Sequence, residues 1–222
     1  KFIDKNYANW FKPKTESPIM SHTLFREKIV PEISKEQPTL LVVVDNLRYD
    51  QWKVFEPIIN NFFKKDKEEA FFSILPTATQ YARNAIFSGL MPSDMEKLFP
   101  NYWKNDTDEG GKNLHEEDFL NSQMKRLGLN HFNYEYYKIT NLKNGKKLAE
   151  NFKSLKDNDL SVVVYNFVDM LSHSKTEMEV VKELASNDKA YRSLTLSWFK
   201  NSPLLEMIQQ AQQLGFKLIL TT

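Results

Sequence analysis

The apolar residues of the chain gather into short unbroken runs separated by stretches of helical spacing. The run from Leu40 to Val44 is rich in β-branched residues and ends in Asp45, Asn46 and Arg48, which predicts a strand buried on both faces that delivers charge at its carboxyl end. Behind it, Trp52, Phe55, Ile58, Ile59, Phe62 and Phe63 recur at helical spacing and predict a helix over 51–67. A second apolar run, 71–75, stops at Pro76 and predicts another strand, followed by a helix over 80–87 that ends at Ser88-Gly89. The pattern then predicts a strand over 134–139, a turn at Asn144-Gly145 and a helix over 147–155. A buried strand over 161–167, helices over 177–200 and 203–214, and a last strand over 217–221 complete it. Strands alternating with helices predict an α/β fold with a parallel central sheet.

Two regions lack that rhythm. Residues 1–38 are rich in Lys, Glu, Ser and Pro, and they read as a linker or N-terminal arm with a short helix over 24–30 and aromatic pairs that dock on the body. Residues 92–130 carry no sustained period and predict a lid-like insertion over the site. The chain starts at Lys1 and stops at Thr222 directly behind an apolar run, which predicts a fragment at both ends.

Composition narrows the partners more than the fold. At 222 residues and 41% hydrophobic content the chain can bury a sizeable core. Thirty basic residues against 29 acidic ones leave a net charge of +1, so no overall basic field argues for duplex DNA. The absence of cysteine excludes disulfides and thiolate metal sites and fits a reducing compartment. No apolar run reaches the roughly 18 residues of a membrane helix. The expectation is a soluble, cytoplasmic protein without a membrane partner.

Polar groups lie just past three of the predicted strands: Asp45, Thr79, and the pair Asp169 and His173. Parallel strands bring their carboxyl ends to one edge, where such groups could meet. A hydroxyl among oxygen and nitrogen ligands suits a metal-activated nucleophile. Thr79 also opens a helix, whose positive end favours a phosphate, and Arg48, Arg83 and Asn84 could donate to the same anion. Each residue has a plainer reading. Asp45-Asn46 could be a turn, Thr79 an N-cap, Asp169 and His173 a surface pair, and Arg48 and Arg83 ordinary ion-pairing groups. His22, His115 and His131 read as loop residues, and Tyr134, Tyr136 and Tyr137 as packing.

Taken together, the motifs resemble a known family. Pro76-Thr77-Ala78-Thr79 followed by Ser88-Gly89-Leu90-Met91-Pro92 looks like the nucleophile motif of the alkaline phosphatase superfamily, and Asp45 and Asp169-x-x-x-His173 match its metal-ligand motifs in the same order. The wording of 43–52 and 75–85 is similar to the PglZ domain, most closely that of the PorX-type response regulators of type IX secretion. The resemblance implies a three-layer α/β/α alkaline-phosphatase-like fold over 39–222 with a mostly parallel sheet. It implies Thr79 as nucleophile, two zinc ions held in part by Asp45, Thr79, Asp169 and His173, and Arg83 and Asn101 as substrate contacts. Nucleotide or oligonucleotide phosphodiesters are the implied substrates, with an upstream receiver domain as regulator and a possible homodimer. The family's remaining ligands come after Thr222, so both zinc sites are expected to be incomplete here. The rival expectation is a non-catalytic signalling module that binds a protein partner or a nucleotide. A phosphomutase or sulfatase relative is a third, although sulfatases use a modified Cys or Ser, which Thr79 is not.

Overall fold

The computed structural model describes residues 2–12, 16–105, 107–166, 168, 171 and 183–222. In chain order the described elements are helix α1 (Phe2–Asn6), helix α2 (Ser21–Leu24), strand β1 (Thr39–Val44), helices α3 (Tyr49–Ile59), α4 (Thr79–Ser88), α5 (Pro92–Leu98) and α6 (Glu116–Arg126), strand β2 (Tyr134–Ile139), helix α7 (Leu142–Glu150), strand β3 (Leu160–Tyr165), helices α8 (Asp188–Lys200) and α9 (Pro203–Gln213), and strand β4 (Lys217–Thr221). They form two compact units, one of residues 33–67 and 132–222, the other of residues 1–32 and 68–131.

The first unit holds the sheet. Its order is β2-β3-β1-β4 and every pairing is parallel, with Leu40 beside Ser161 and Leu218, and Val42 beside Val163 and Leu220. Every residue of β1 and β3 is buried. That is the behaviour expected of β-branched runs in a parallel sheet flanked by helices. One sheet face, with Leu40, Val42, Val44, Val163 and Tyr165, packs against Phe55 and Ile59 of α3, Leu148 and Ala149 of α7, Phe199 of α8 and Leu204, Met207 and Ile208 of α9. The opposite face, with Leu41, Val43, Val162 and Val164, is buried as well.

Several sequence expectations change here for local reasons. Helix α3 ends at Ile59 rather than 67, because Asn60 and Asn61 are poor helix residues; Phe62 and Phe63 leave the helix yet still pack on the core. Asn144-Gly145 is not a turn. Asn141 Oδ1 accepts from the Asn144 amide at 2.9 Å and starts α7 at Leu142, five residues before the expected 147. Gly145 lies inside this helix, where a Cβ would stand 2.6 Å from the Tyr165 hydroxyl and 3.3 Å from Pro203, so the glycine serves a close approach. Beyond Glu150 a 3-10 turn, Phe152–Asp157, replaces the expected end of the helix. Helix α8 runs from Asp188 behind the Asn187 cap, residues 177–182 of the helix expected over 177–200 lie outside the described residues, and Ser202, Pro203 and Gly215 bound α9 as the sequence implies.

The second unit is helical. The expected strand over 71–75 does not join the sheet; its one described pairing is a single parallel bridge between Phe72 and Met20. Phe72 and Leu75 are exposed and only Ile74 is deeply buried, so the run cannot serve as a strand covered on both faces. Residues 1–32, expected as an arm, supply α1, α2 and the turns continuing through Glu32, and Leu24, Phe25 and Ile29 are buried. The segment 92–130 carries α5 and α6, with Phe119, Leu120 and Met124 buried. Helix α4 packs between α2 and α6.

Arg48 and Asp50, at the start of α3, join an ion-pair network. Arg48 Nε and Nη2 reach the two Asp50 oxygens at 2.9 and 2.7 Å, Arg48 Nη1 reaches Asp188 at 2.9 Å, and Arg192 Nη1 reaches Asp50 at 2.9 Å. Below them Gln51 Nε2 donates to the buried Thr195 hydroxyl at 3.0 Å. Thus α3 and α8 are fastened side by side.

Two tests follow. Burial alone would raise the Asp50 carboxyl, but hydrogen bonds from Arg48 and Arg192 outweigh it and hold the carboxyl below its ordinary value of 3.8. A depressed folded value gives stability that is present above the unfolded pKa and lost as pH falls through the folded one. The stability gap between the parent and Asp50→Asn, measured by urea unfolding, should be constant near neutral pH and narrow below about pH 4. Gly145→Ala should cost about 1–3 kcal/mol by the same measurement, because the added methyl meets Tyr165 and Pro203.

Candidate functional site

All four strands run the same way, so their carboxyl ends share one edge, and that edge holds the first candidate residue. Asp45 follows Val44 directly, is 8% exposed, and its amide donates to the Tyr165 carbonyl at 3.0 Å. Asn46 then turns the chain with φ 59°, a left-handed conformation that asparagine tolerates. The Leu47 amide donates to the Thr222 hydroxyl at 3.1 Å, which ties the end of β1 to the residue behind β4. Asn166 stands at the end of β3, its amide donating to the Ile139 carbonyl at 3.0 Å. Asp169 and His173, the expected metal pair past this strand, lie outside the described residues.

In the helical unit, Thr79 is the first residue of α4. Ala78 stands before it in extended conformation and provides no side-chain cap, so the plainer reading of Thr79 as an N-cap does not hold. Thr79 is half-buried, and its hydroxyl has no hydrogen-bond partner among the described residues. Its carbonyl accepts from Asn113 Nδ2 at 3.2 Å, and Asn113 also donates to Asn84 Oδ1 at 3.1 Å. Asn84 donates in turn to the Lys112 carbonyl at 3.3 Å. The loop before α6 is therefore laced to the first turns of α4.

The opposite end of α4 is held by α6. Gln123 Nε2 donates to the carbonyls of Ile86 and Phe87 at 3.0 and 2.8 Å, and Arg126 Nη2 donates to that of Ser88. Burial lowers the Arg126 guanidinium below its ordinary pKa. These donors satisfy carbonyls that a helix end leaves open. Gly89 closes the helix at φ 64°, and a Cβ there would fall 2.0 Å from Gln123 Oε1, so this position requires glycine for both conformation and space.

The two expected substrate contacts, Arg83 and Asn101, both lie in the helical unit. Arg83 is 5% exposed and pairs with Glu116 of α6, which is 1% exposed, through Nε to Oε1 and Nη2 to Oε2, the latter at 3.3 Å. Its guanidinium ties two helices together, as its plainer reading as an ion-pairing group has it. Asn101 sits exposed in the turn after α5. Sequence reasoning missed Glu116, Gln123 and Asn113, because nothing in spacing along the chain pairs them with residues about 30 positions earlier. Tyr102 stacks on His115 at 4.5 Å, and His115 Nδ1 lies 2.9 Å from Asp118, one helical turn on.

Asp45 and Thr79 belong to different units, and each is placed within its own. Among the described residues no three His, Asp or Glu side chains gather into a metal-binding group. Each unit by itself holds a donor that suits a metal ion in kind: a nearly buried carboxylate at a strand end in one, and in the other a hydroxyl at a helix start without a partner among the described residues. No helix among the described residues is long and apolar enough to cross a membrane.

The Arg83–Glu116 pair can be tested apart from chemistry. Removing one partner of a buried pair strands a charge, so Glu116→Ala should lower unfolding stability by about 3–5 kcal/mol. Arg83→Met with Glu116→Leu should recover most of that loss in the same urea titration.

No curated protein matches the chain. A family model described as the BREX system PglZ alkaline phosphatase-like domain matches residues 24–222. Its extent covers both the strand ending in Asp45 and the helix opening at Thr79, and a domain of this kind points to phosphoester hydrolysis. The chain therefore belongs to the PglZ alkaline phosphatase-like family.

Proposed function

We propose that the protein is a metal-dependent phosphodiesterase in which Thr79 attacks phosphorus in line. The observation that carries this reading is the Thr79 hydroxyl, half-buried, without a partner among the described residues and set in the first turn of a helix whose far end is anchored by Gln123 and Arg126. A helix start favours the negative charge of a phosphoryl group. Anchoring at the far end keeps the hydroxyl from drifting, and positioning is where much of the rate of phosphoryl transfer originates.

Zinc, held by Asp45, Thr79, Asp169 and His173, would lower the hydroxyl's pKa and neutralise phosphoryl oxygens. The chain's own residues do the rest. Thr79 gives its proton to solvent water and forms a bond to phosphorus as the bond from phosphorus to the leaving alkoxide breaks; the alkoxide takes up a proton from water, and the phosphothreonine left behind is cleaved by a second water. Asp45 keeps its carboxylate at the sheet edge by being nearly buried and fixed through the backbone on both sides. Arg83 is assigned no substrate role, since its guanidinium is engaged with Glu116. Nucleotide or oligonucleotide diesters are the substrates this reading favours.

The narrower setting, a cytoplasmic response-regulator output domain that controls type IX secretion under an upstream receiver, rests on the wording of 43–52 and 75–85 alone. The matched family model carries the name of a different system. A non-catalytic binding module is the alternative, and the engagement of Arg83 away from any ligand favours it to that extent.

The test is hydrolysis of bis(p-nitrophenyl) phosphate with added zinc. Thr79→Ala should lose roughly 10³-fold or more in kcat, as removal of a nucleophile does, and Asp45→Asn should lose activity in parallel with bound zinc. Chelation should abolish turnover and zinc restore it. Turnover by Thr79→Ala at the parent rate would end the assignment.

A further inference from the structure

A basic stripe runs along α7. Between positions 143 and 156 the chain carries five lysines against the single acid Glu150, in a protein whose overall charge is +1. Lys143, Lys146 and Lys147 fall at i, i+3 and i+4, so they share one helix face. All three are exposed, while Gly145, Leu148 and Ala149 on the other face are buried. None of the three ammonium groups has a partner among the described residues. Lys28, Lys53 and Lys65, by contrast, each pair with a glutamate.

With Leu142 and Glu150 the stripe makes one open surface along the helix. Leu142 is 57% exposed at the start of the helix, an apolar surface beside the cations. Helix α7 begins three residues after β2, so its first turn lies at the carboxyl edge of the sheet that also carries Asp45. Two strand spacings separate β2 from β1, about 10 Å. Along the axis Lys143 and Lys147 stand about 6 Å apart, a separation that successive phosphates of a flexible single strand can meet. Glu150 ends the cationic face and confines an anion to the first turns.

We infer that the Lys143, Lys146 and Lys147 face of α7 is a binding surface for single-stranded nucleic acid, which grips backbone phosphates beside the Asp45 edge while Leu142 supports a base. The choice of ligand rests on the phosphodiester reading; the surface itself does not require turnover. Its length suits a few phosphates of one strand, and the near-neutral charge of the whole chain leaves no broad field for a duplex.

The test is anisotropy of a fluorescein-labelled single-stranded oligonucleotide in chelator, so that nothing is hydrolysed. Replacing Lys143, Lys146 and Lys147 together by Gln should weaken binding tenfold or more at about 50 mM salt and flatten the slope of log K against log salt by about 2, the loss of three phosphate contacts. Glu150→Gln should tighten binding. A control with Lys97, Lys104 and Lys125 changed to Gln removes equal charge and should bind normally. Equal weakening by that control, equal competition by polyglutamate, or parental binding by the α7 variant would each overturn the inference. Parental binding alongside Thr79-dependent hydrolysis would remove the stripe and leave the nucleophile standing. Lysine-dependent binding with hydrolysis indifferent to Thr79 would do the reverse.

Discussion

Burial of β1 on both faces is the constraint from which the sheet-bearing unit follows. With β3 on one side and β4 on the other, Thr39–Val44 meets neither water nor an open edge, so every residue from Leu40 to Val44 must be apolar and every backbone group must be paired within the sheet. Polar chemistry can begin only where that burial ends, and it begins at once with Asp45. The bonds from the Asp45 amide to Tyr165 and from the Leu47 amide to Thr222 hold the turn against both neighbouring strands. A carboxylate so placed has little freedom, which is the condition for a ligand whose position must not drift.

How much of this was legible in the sequence depended on the range of the interactions involved. Strands β1, β3 and β4 and helix α9 could be read because their signals are local: unbroken β-branched runs, a proline in the first turn, a glycine past the last. The run at 71–75 has the same local look, but whether a run enters a sheet is decided by what covers it, and here Phe72 and Leu75 stay exposed. Gly145 failed in the opposite sense. Asn-Gly reads as a turn until the Tyr165 hydroxyl and Pro203, distant in sequence, show that the missing side chain is what lets α7 pack.

The site divides along the same line. Asp45 and Thr79 were marked by position, one ending a strand and the other opening a helix, and both positions hold. Arg83 was assigned by chemistry alone, and chemistry alone does not say where a guanidinium points. Burial decides that question: a side chain 6% exposed beside a carboxylate 1% exposed cannot be withdrawn to meet a ligand without leaving Glu116 charged and unpaired. The pair fixes α6 against α4, and with Gln123 and Arg126 it makes the helix that presents Thr79 a rigid one.

The stretch from Asp45 to Asp50 shows what motif wording does and does not carry. Its residues are contiguous and together mark the family, yet they part within five positions. Asp45 stays at the strand end, whereas Arg48 and Asp50 turn to Asp188 and Arg192 and fasten α3 to α8. A guanidinium holding two carboxylates, one of them held by a second guanidinium, is balanced within itself and has no charge left over to recruit an anion. The same composition that looks like phosphate-binding equipment in the sequence is therefore a clamp, and it keeps the loop carrying Asp45 attached to a helix that cannot roll away from it.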